Sequence, residues 1–139
     1  MPEENIARSN LELAKQFNEA GHRGDIETCL SLIAEDVVVT DVTGPLDVPR
    51  VHRGRHELLG YYARFADEFD DFDREVEEWV AADDWVIAVG RWVGTGKGSG
   101  ARVEARTASA NRFRDGKVIE CILGLPDKEA ALEAAGVRE

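Results

Sequence analysis

Apolar residues recur with a helical period at the start of the chain. Ile6, Leu11, Leu13, Ala14 and Phe17 fall on one side of a helix, with charged and amide side chains on the other. Gly21 and Gly24 end that segment, and Asp25 stands where the cap of a second helix carrying Thr28, Leu30, Ile33 and Ala34 belongs. The period then shortens to two. Val37-Val38-Val39-Thr40-Asp41-Val42 is rich in β-branched residues and predicts a strand. Gly44, Pro45 and Pro49 mark a loop, and Gly54 opens a third helix bearing Leu58, Leu59, Tyr61, Tyr62 and Phe65. From Arg74 onward strands alternate with turns. The strands are Arg74–Ala82, Trp85–Val93, Ala101–Arg114 and Lys117–Leu125; Asp83-Asp84, the glycine-rich run Gly94–Gly100 and the hairpin signal Asp115-Gly116 divide them. Pro126 stops the last strand, and Asp127–Ala135 reads as a terminal helix ended by Gly136.

This order predicts an α+β domain, with helices first and then a run of antiparallel strands, rather than a doubly wound sheet. A strongly curved sheet with helices on one side would enclose a pocket between the layers. The length of 139 residues suits a single domain spanning 1–139, and 43% apolar residues suffice for a core. A net charge of -11 opposes the grip on phosphate backbones that nucleic-acid binders need, and also docking on anionic lipid. No apolar run approaches the roughly 20 residues of a membrane-spanning helix. Met-Pro-Glu-Glu-Asn at the start has neither the basic nor the apolar part of a secretory signal, so the expected location is cytoplasmic. Cys29 and Cys121 are too few for a disulfide framework or zinc cage and read as free, buried thiols.

Three segments, in order, resemble the NTF2-like superfamily and, within it, the SnoaL-like and ketosteroid-isomerase-like proteins. They are Asn18-Glu19-Ala20 through Gly24-Asp25 with Leu32-Ile33-Ala34-Glu35-Asp36-Val37; Arg53-Gly54-Arg55-His56-Glu57-Leu58; and Phe113-Arg114-Asp115-Gly116-Lys117-Val118-Ile119 followed by Glu129-Ala130-Ala131-Leu132-Glu133-Ala134-Ala135-Gly136. The resemblance implies a cone-shaped, curved antiparallel sheet packed with N-terminal helices, an α+β barrel of the NTF2-like or cystatin-like kind. It also implies a homodimer through the sheet face and a pocket reaching into the cone. It implies no single reaction, because fold and chemistry are separable.

Asp41 is the first candidate for chemistry. Period two puts it on one strand face with Val37 and Val39; among apolar walls a carboxylate loses solvation and becomes a better proton shuttle. By resemblance it occupies the position of the catalytic aspartate of ketosteroid isomerases and some SnoaL-like cyclases. The other reading is that Asp41 only begins the turn before Gly44-Pro45. Arg91 is the second candidate. It interrupts the row Trp85, Ile87, Val89, Val93, and a buried guanidinium there needs an acceptor such as Asp41; the alternative turns it outward to surface acid. Its place is similar to the arginine of limonene-epoxide-hydrolase-like proteins, but Val93 and Leu123 stand where that relay has carboxylates, so such hydrolysis is not expected.

Efficient steroid isomerisation is not expected either, because Phe17 replaces the family's donor tyrosine. Ser109 and Asn111 offer only weaker donors, and Tyr62 could add a hydroxyl. Phe17, Tyr61, Tyr62, Phe65, Trp85 and Phe113, with Cys121, could line a pocket for a flat apolar ligand or simply build the core. Trp92, on the strand face opposite Arg91, hints at a dimer. His52 and His56 are four apart, but Gly54 lies between them and no third ligand completes a metal set. His52 could reach the pocket mouth, and His22 reads as solvated in a turn. The run Gly94–Gly100 fails the phosphate-loop pattern at Arg91 and Gly98 and reads as a mobile hairpin loop. The acidic stretch Asp67–Glu78 reads as a solvated face. The expected protein holds a small apolar or polyketide-like molecule in the cone and transfers a proton by Asp41 and Arg91, without cofactor, in an isomerase or cyclase type of reaction. The alternative is a non-catalytic ligand-binding or dimeric interaction module on the same fold.

Overall fold

Short polar signals set the element ends in the computed structural model, which describes residues 3–42 and 50–139. The loop expected around Gly44, Pro45 and Pro49 lies outside those residues. Helix α1 spans Glu3–Arg23 and α2 spans Ile26–Ser31; Asp25 caps α2 by accepting hydrogen bonds from the Thr28 amide (3.1 Å) and hydroxyl (2.7 Å). Strands β1 (Ile33–Asp41) and β2 (Arg50–Arg53), helix α3 (Arg55–Glu68), strands β3 (Phe69–Ala82), β4 (Trp85–Gly96), β5 (Arg102–Arg114) and β6 (Lys117–Leu125), and helix α4 (Lys128–Ala135) follow. Asp115 and Gly116 both take positive φ, 51° and 79°, which makes the tight β5–β6 turn the sequence announces. Asp127 caps α4 through the Ala130 amide (2.8 Å), and Gly136 closes it in the left-handed conformation.

The six strands form one curved sheet in the order β2-β1-β6-β5-β4-β3, whose edge strands β2 and β3 do not pair with each other. It is not wholly antiparallel as expected, because β6 returns beside β1 in parallel, with Val39 opposite Cys121 and Asp41 opposite Leu123. Strand β2 carries no apolar alternation, so the sequence hides it. Strand β3 starts at Phe69 rather than Arg74. The acidic residues expected on a solvated surface are therefore strand residues on an edge, where one side can face water. Its register slips twice, between Asp70 and Asp73 and between Val76 and Glu78, and Asp71, within the first slip, has φ 54°. The glycine-rich run is partly strand, since β4 extends to Gly96 and Phe69 packs on Gly94.

Both faces of the sheet are covered. Val37, Val39, Val86 and Leu123 pack against Ala14 of α1 and Leu58 and Tyr61 of α3. On the far face, Trp85, Ile87, Val89, Ala108 and Ala110 pack with Ala131 of α4. Among the described residues no helix is long and apolar enough to cross a membrane.

Candidate functional site

On the helical face the sheet and helices do not meet everywhere. Between α1, α3 and strands β3–β5 lies a cavity of about 800 Å³. Its wall is mainly apolar, with Phe17 from α1, Leu58 and Tyr62 from α3, and Phe72 and Trp79 from β3. The room comes from β4. Ala88 stands between Trp79 and Ser109, and Gly90 between Val76 and Thr107, so the central strand sends no large side chain into the space. Gly90 also lets β3 come close: a Cβ there would lie 2.9 Å from the Glu75 carbonyl carbon and 3.0 Å from Val76 Cα.

Polar groups enter this wall at few places. Ser109 is buried, and the Asn111 amide oxygen is buried without a hydrogen-bond partner among the described residues. An amide that is not engaged offers a ligand either a donor or an acceptor. Two arginines border the wall, and Arg74 is the one whose guanidinium meets no carboxylate among the described residues, Arg91 being paired with Glu75 and Glu104. Arg74 stands opposite Trp92, which puts it on the same sheet face as Gly90 and Ala88. Its charge pulls down the pKa values of Tyr61, Tyr62 and Cys121, but burial is the larger effect and raises all three, pushing the Cys121 thiol up to about 12. The Tyr62 hydroxyl thus keeps its proton. No carboxylate among the described residues pairs with the Arg74 guanidinium. Acid instead rims the mouth, where Asp70, Asp71 and Asp73 border the opening and Asp73 binds His22 at 2.6 Å. His22 is exposed, as expected, and that pair is its ion contact.

Of the residues singled out in the sequence, Phe17, Tyr62, Ser109 and Asn111 border the cavity, and Asp41, Tyr61 and Cys121 lie behind its wall. Asp41 is 8% exposed on the face shared with Val37 and Val39, near enough to Tyr61 for its charge to help hold the phenol proton. The ring of Tyr61 stands 5.6 Å from that of Tyr62. The expected Arg91–Asp41 pair does not form. Arg91 touches the cavity edge, but its guanidinium binds Glu75 (2.7 Å) and Glu104 (3.4 Å) and is 41% exposed. The reason is that β4 is covered on both sides: the row Trp85, Ile87, Val89 faces α4, so the alternation that placed Arg91 inward marked the other buried face.

Trp92 is corrected by the same inversion, and packs on the helical side against Phe69 (5.4 Å) and Phe72 (5.8 Å). Trp85 and Phe113 are core residues on opposite faces, and the Phe65 side chain lies outside the described set. His52 turns inward, its ring 5.5 Å from Tyr61 and its Nε2 buried without a partner among the described residues, whereas His56 is exposed. Cys29 is half-buried in the cavity wall rather than fully buried. Among the described residues no three His, Cys, Asp or Glu side chains gather as a metal site.

Sequence reasoning missed Phe72 and Trp79 in the wall and, with more consequence for its charge, Arg74. The available signal was its being the one basic residue between Asp67 and Glu78, two positions before Val76 on the same strand face.

The geometry has counterparts among known proteins. Bal32a, from a soil-derived mobile gene cassette, superposes with a TM-score of 0.76 at 22% identity, covering 85% of this chain and 89% of that one. A candidate SnoaL-like polyketide cyclase from Jannaschia sp. CCS1 gives 0.73 at 17% identity, with 84% of each chain covered. A protein of ketosteroid-isomerase-like fold from Catenulispora acidiphila, crystallised with trimethylamine, gives 0.70 at 17% identity over 91% of this chain and 94% of that one. Other neighbours are described as NTF2-like or as having a cystatin-like fold. At these identities the likeness is one of fold. No curated protein matches the sequence. The sequence model of the SnoaL-like domain matches residues 14–121, from the first helix to the last strand of the cavity's scaffold. The chain therefore belongs to the SnoaL-like domain family and has its α+β, NTF2-like fold.

Proposed function

We propose that the protein holds a small, mainly apolar molecule of polyketide-like size in the cavity between α1, α3 and β3–β5. The cavity itself carries this reading. Its volume of about 800 Å³ lies in the range that encloses drug-sized ligands, and its aromatic wall with few polar points is the usual make-up of such sites. Tyr62, Ser109 and Asn111 orient the ligand by hydrogen bonds, and Phe17 and Trp79 take its apolar body.

The catalytic reading adds a proton transfer of the isomerase or cyclase type, with Asp41 as base and no cofactor. What favours it is a carboxylate buried in the core beside Tyr61, whose ring adjoins Tyr62 on the cavity wall. Asp41 stands behind that wall, so the binding reading is the more direct of the two. A homodimer belongs to the proposal on the family likeness alone, since Trp92 faces the helices.

Thermal unfolding with polyketide-like aromatic ketones tests both readings, using wild type and Asp41→Asn, which keeps the size of the side chain and removes its charge. Ligands that raise the melting temperature of both proteins establish the site. Turnover by wild type alone then establishes Asp41 as the base, and binding without turnover leaves a binding module. No shift with any such compound removes the proposal.

A further inference from the structure

A guanidinium keeps its charge at any pH at which proteins fold, and facing an apolar cavity it costs free energy until an acceptor meets it. Arg23, Arg91, Arg106 and Arg112 each have a carboxylate within 4 Å. Arg74, on the cavity wall, has none among the described residues. We propose that the cavity takes a monoanion with a flat apolar body, of the aromatic carboxylate class, and that Arg74 pairs with its carboxylate. This rests on the reading of the cavity as a ligand site.

Three observations set the class. The planar fork of a guanidinium matches a carboxylate with two parallel hydrogen bonds. The rest of the wall is apolar, with Phe17, Phe72 and Trp79 able to take a flat ring system and Ser109 and Asn111 giving neutral hydrogen bonds two strands away. The charge is limited to one. Arg74 is opposed by Asp70, Asp71 and Asp73 at the mouth and by a net charge of -11 over the chain, and the other basic residues of the cavity, His22 and Arg91, are already paired with Asp73 and with Glu75 and Glu104, so a second negative charge finds mainly repulsion. Phosphate monoesters and dicarboxylates are thereby disfavoured.

The test uses 2-naphthoate, its neutral isostere 2-naphthamide and the dianion 2-naphthyl phosphate, with dissociation constants from calorimetry on wild type, Arg74→Gln and Arg74→Lys. Wild type is expected to bind naphthoate about tenfold more tightly than naphthamide, and more tightly than the phosphate. Arg74→Gln loses the preference because naphthoate weakens while naphthamide holds within about threefold. Arg74→Lys keeps the charge without the fork and retains a reduced preference, which carries the test should Arg74→Gln fold poorly. Equal binding of acid and amide by wild type, or a preference that survives in Arg74→Gln, overturns the assignment of the charge. Binding of the amide alone does the same but leaves the ligand site standing; binding of no probe by any variant removes both.

Discussion

Burial changes what a side chain can do before any ligand arrives, and Cys121 shows it most plainly. Its thiol sits behind the cavity wall, and loss of solvation pushes its pKa from 9.0 up to about 12. In the unfolded chain the same thiol ionises near 9. Folding holds the proton, so the stability this contributes is complete below pH 9 and is lost as pH climbs toward 12. Tyr61 and Tyr62, also raised by burial, act with the same sign from a higher starting pH. Cys121→Val should therefore lose stability less steeply than wild type between pH 9 and 11 in urea titrations. Parallel slopes would show that the thiol ionises no differently in the fold. Iodoacetamide gives the chemical counterpart: Cys29, half-buried at the wall, is expected to react well before Cys121. At this scale the sequence placed Asp41 correctly on the Val37–Val39 face, because β1 has a mixed pattern. It misplaced Arg91 because Val86 and Ile87, adjacent and both buried, leave β4 no polar side to read.

Elements differ in how much of their shape is local. Caps and turns are local, and Asp25, Asp127, Asp115-Gly116 and Gly136 mark their element ends where the sequence said they would. The departures are non-local. A parallel neighbour for β1 depends on where β6 returns, and β2 has only Val51 as an aliphatic residue. Strand β3 looked like a charged surface because an edge strand needs just one apolar side, and its two register slips break the alternation further. Gly90 is where this element depends most on a single atom. A methyl group there meets the backbone of Glu75 and Val76, which cannot swing away as a side chain can. Gly90→Ala is expected to destabilise the protein by about 1–3 kcal/mol, with loss of protection at β3 amides by hydrogen exchange. A neutral result would mean that β3 and β4 part at Gly90 at little cost.

Over the whole molecule, 28 acidic residues face 17 basic ones. Six of the acids, Asp70, Asp71, Asp73, Glu75, Glu77 and Glu78, fall on one strand. Four of them have a basic partner on other elements: Asp73 with His22, Glu75 with Arg91, Glu78 with Lys128 and Glu77 with Arg106. Glu77 meets Arg106 only at 3.7 Å on an exposed surface. Exposed pairs contribute little, whereas an excess of one sign repels over about a Debye length. The melting temperature should consequently rise by a few degrees as sodium chloride goes from roughly 20 to 300 mM. A fall over that range would mean that the pairs outweigh the repulsion. Fold class and family were legible at this scale because ordered segments along most of the chain agree on one architecture. The cavity's charge was not, since it depends on which way a single arginine turns from a bent edge strand.

The two-sided sheet has a further consequence, for the history of such a protein rather than its chemistry. The large apolar residues of the α4 face, Trp85, Ile87 and Val89, alternate along β4 with Val86, Ala88 and Gly90. One strand thus holds the fold together with its odd positions and shapes the ligand space with its even ones. Exchanges at Phe72, Trp79, Ser109 or Asn111 recut the cavity while leaving the α4 core intact, so new ligand preferences can arise by single steps that the fold survives. A saturation library at those four positions should keep most members folded while their ligand profiles diverge.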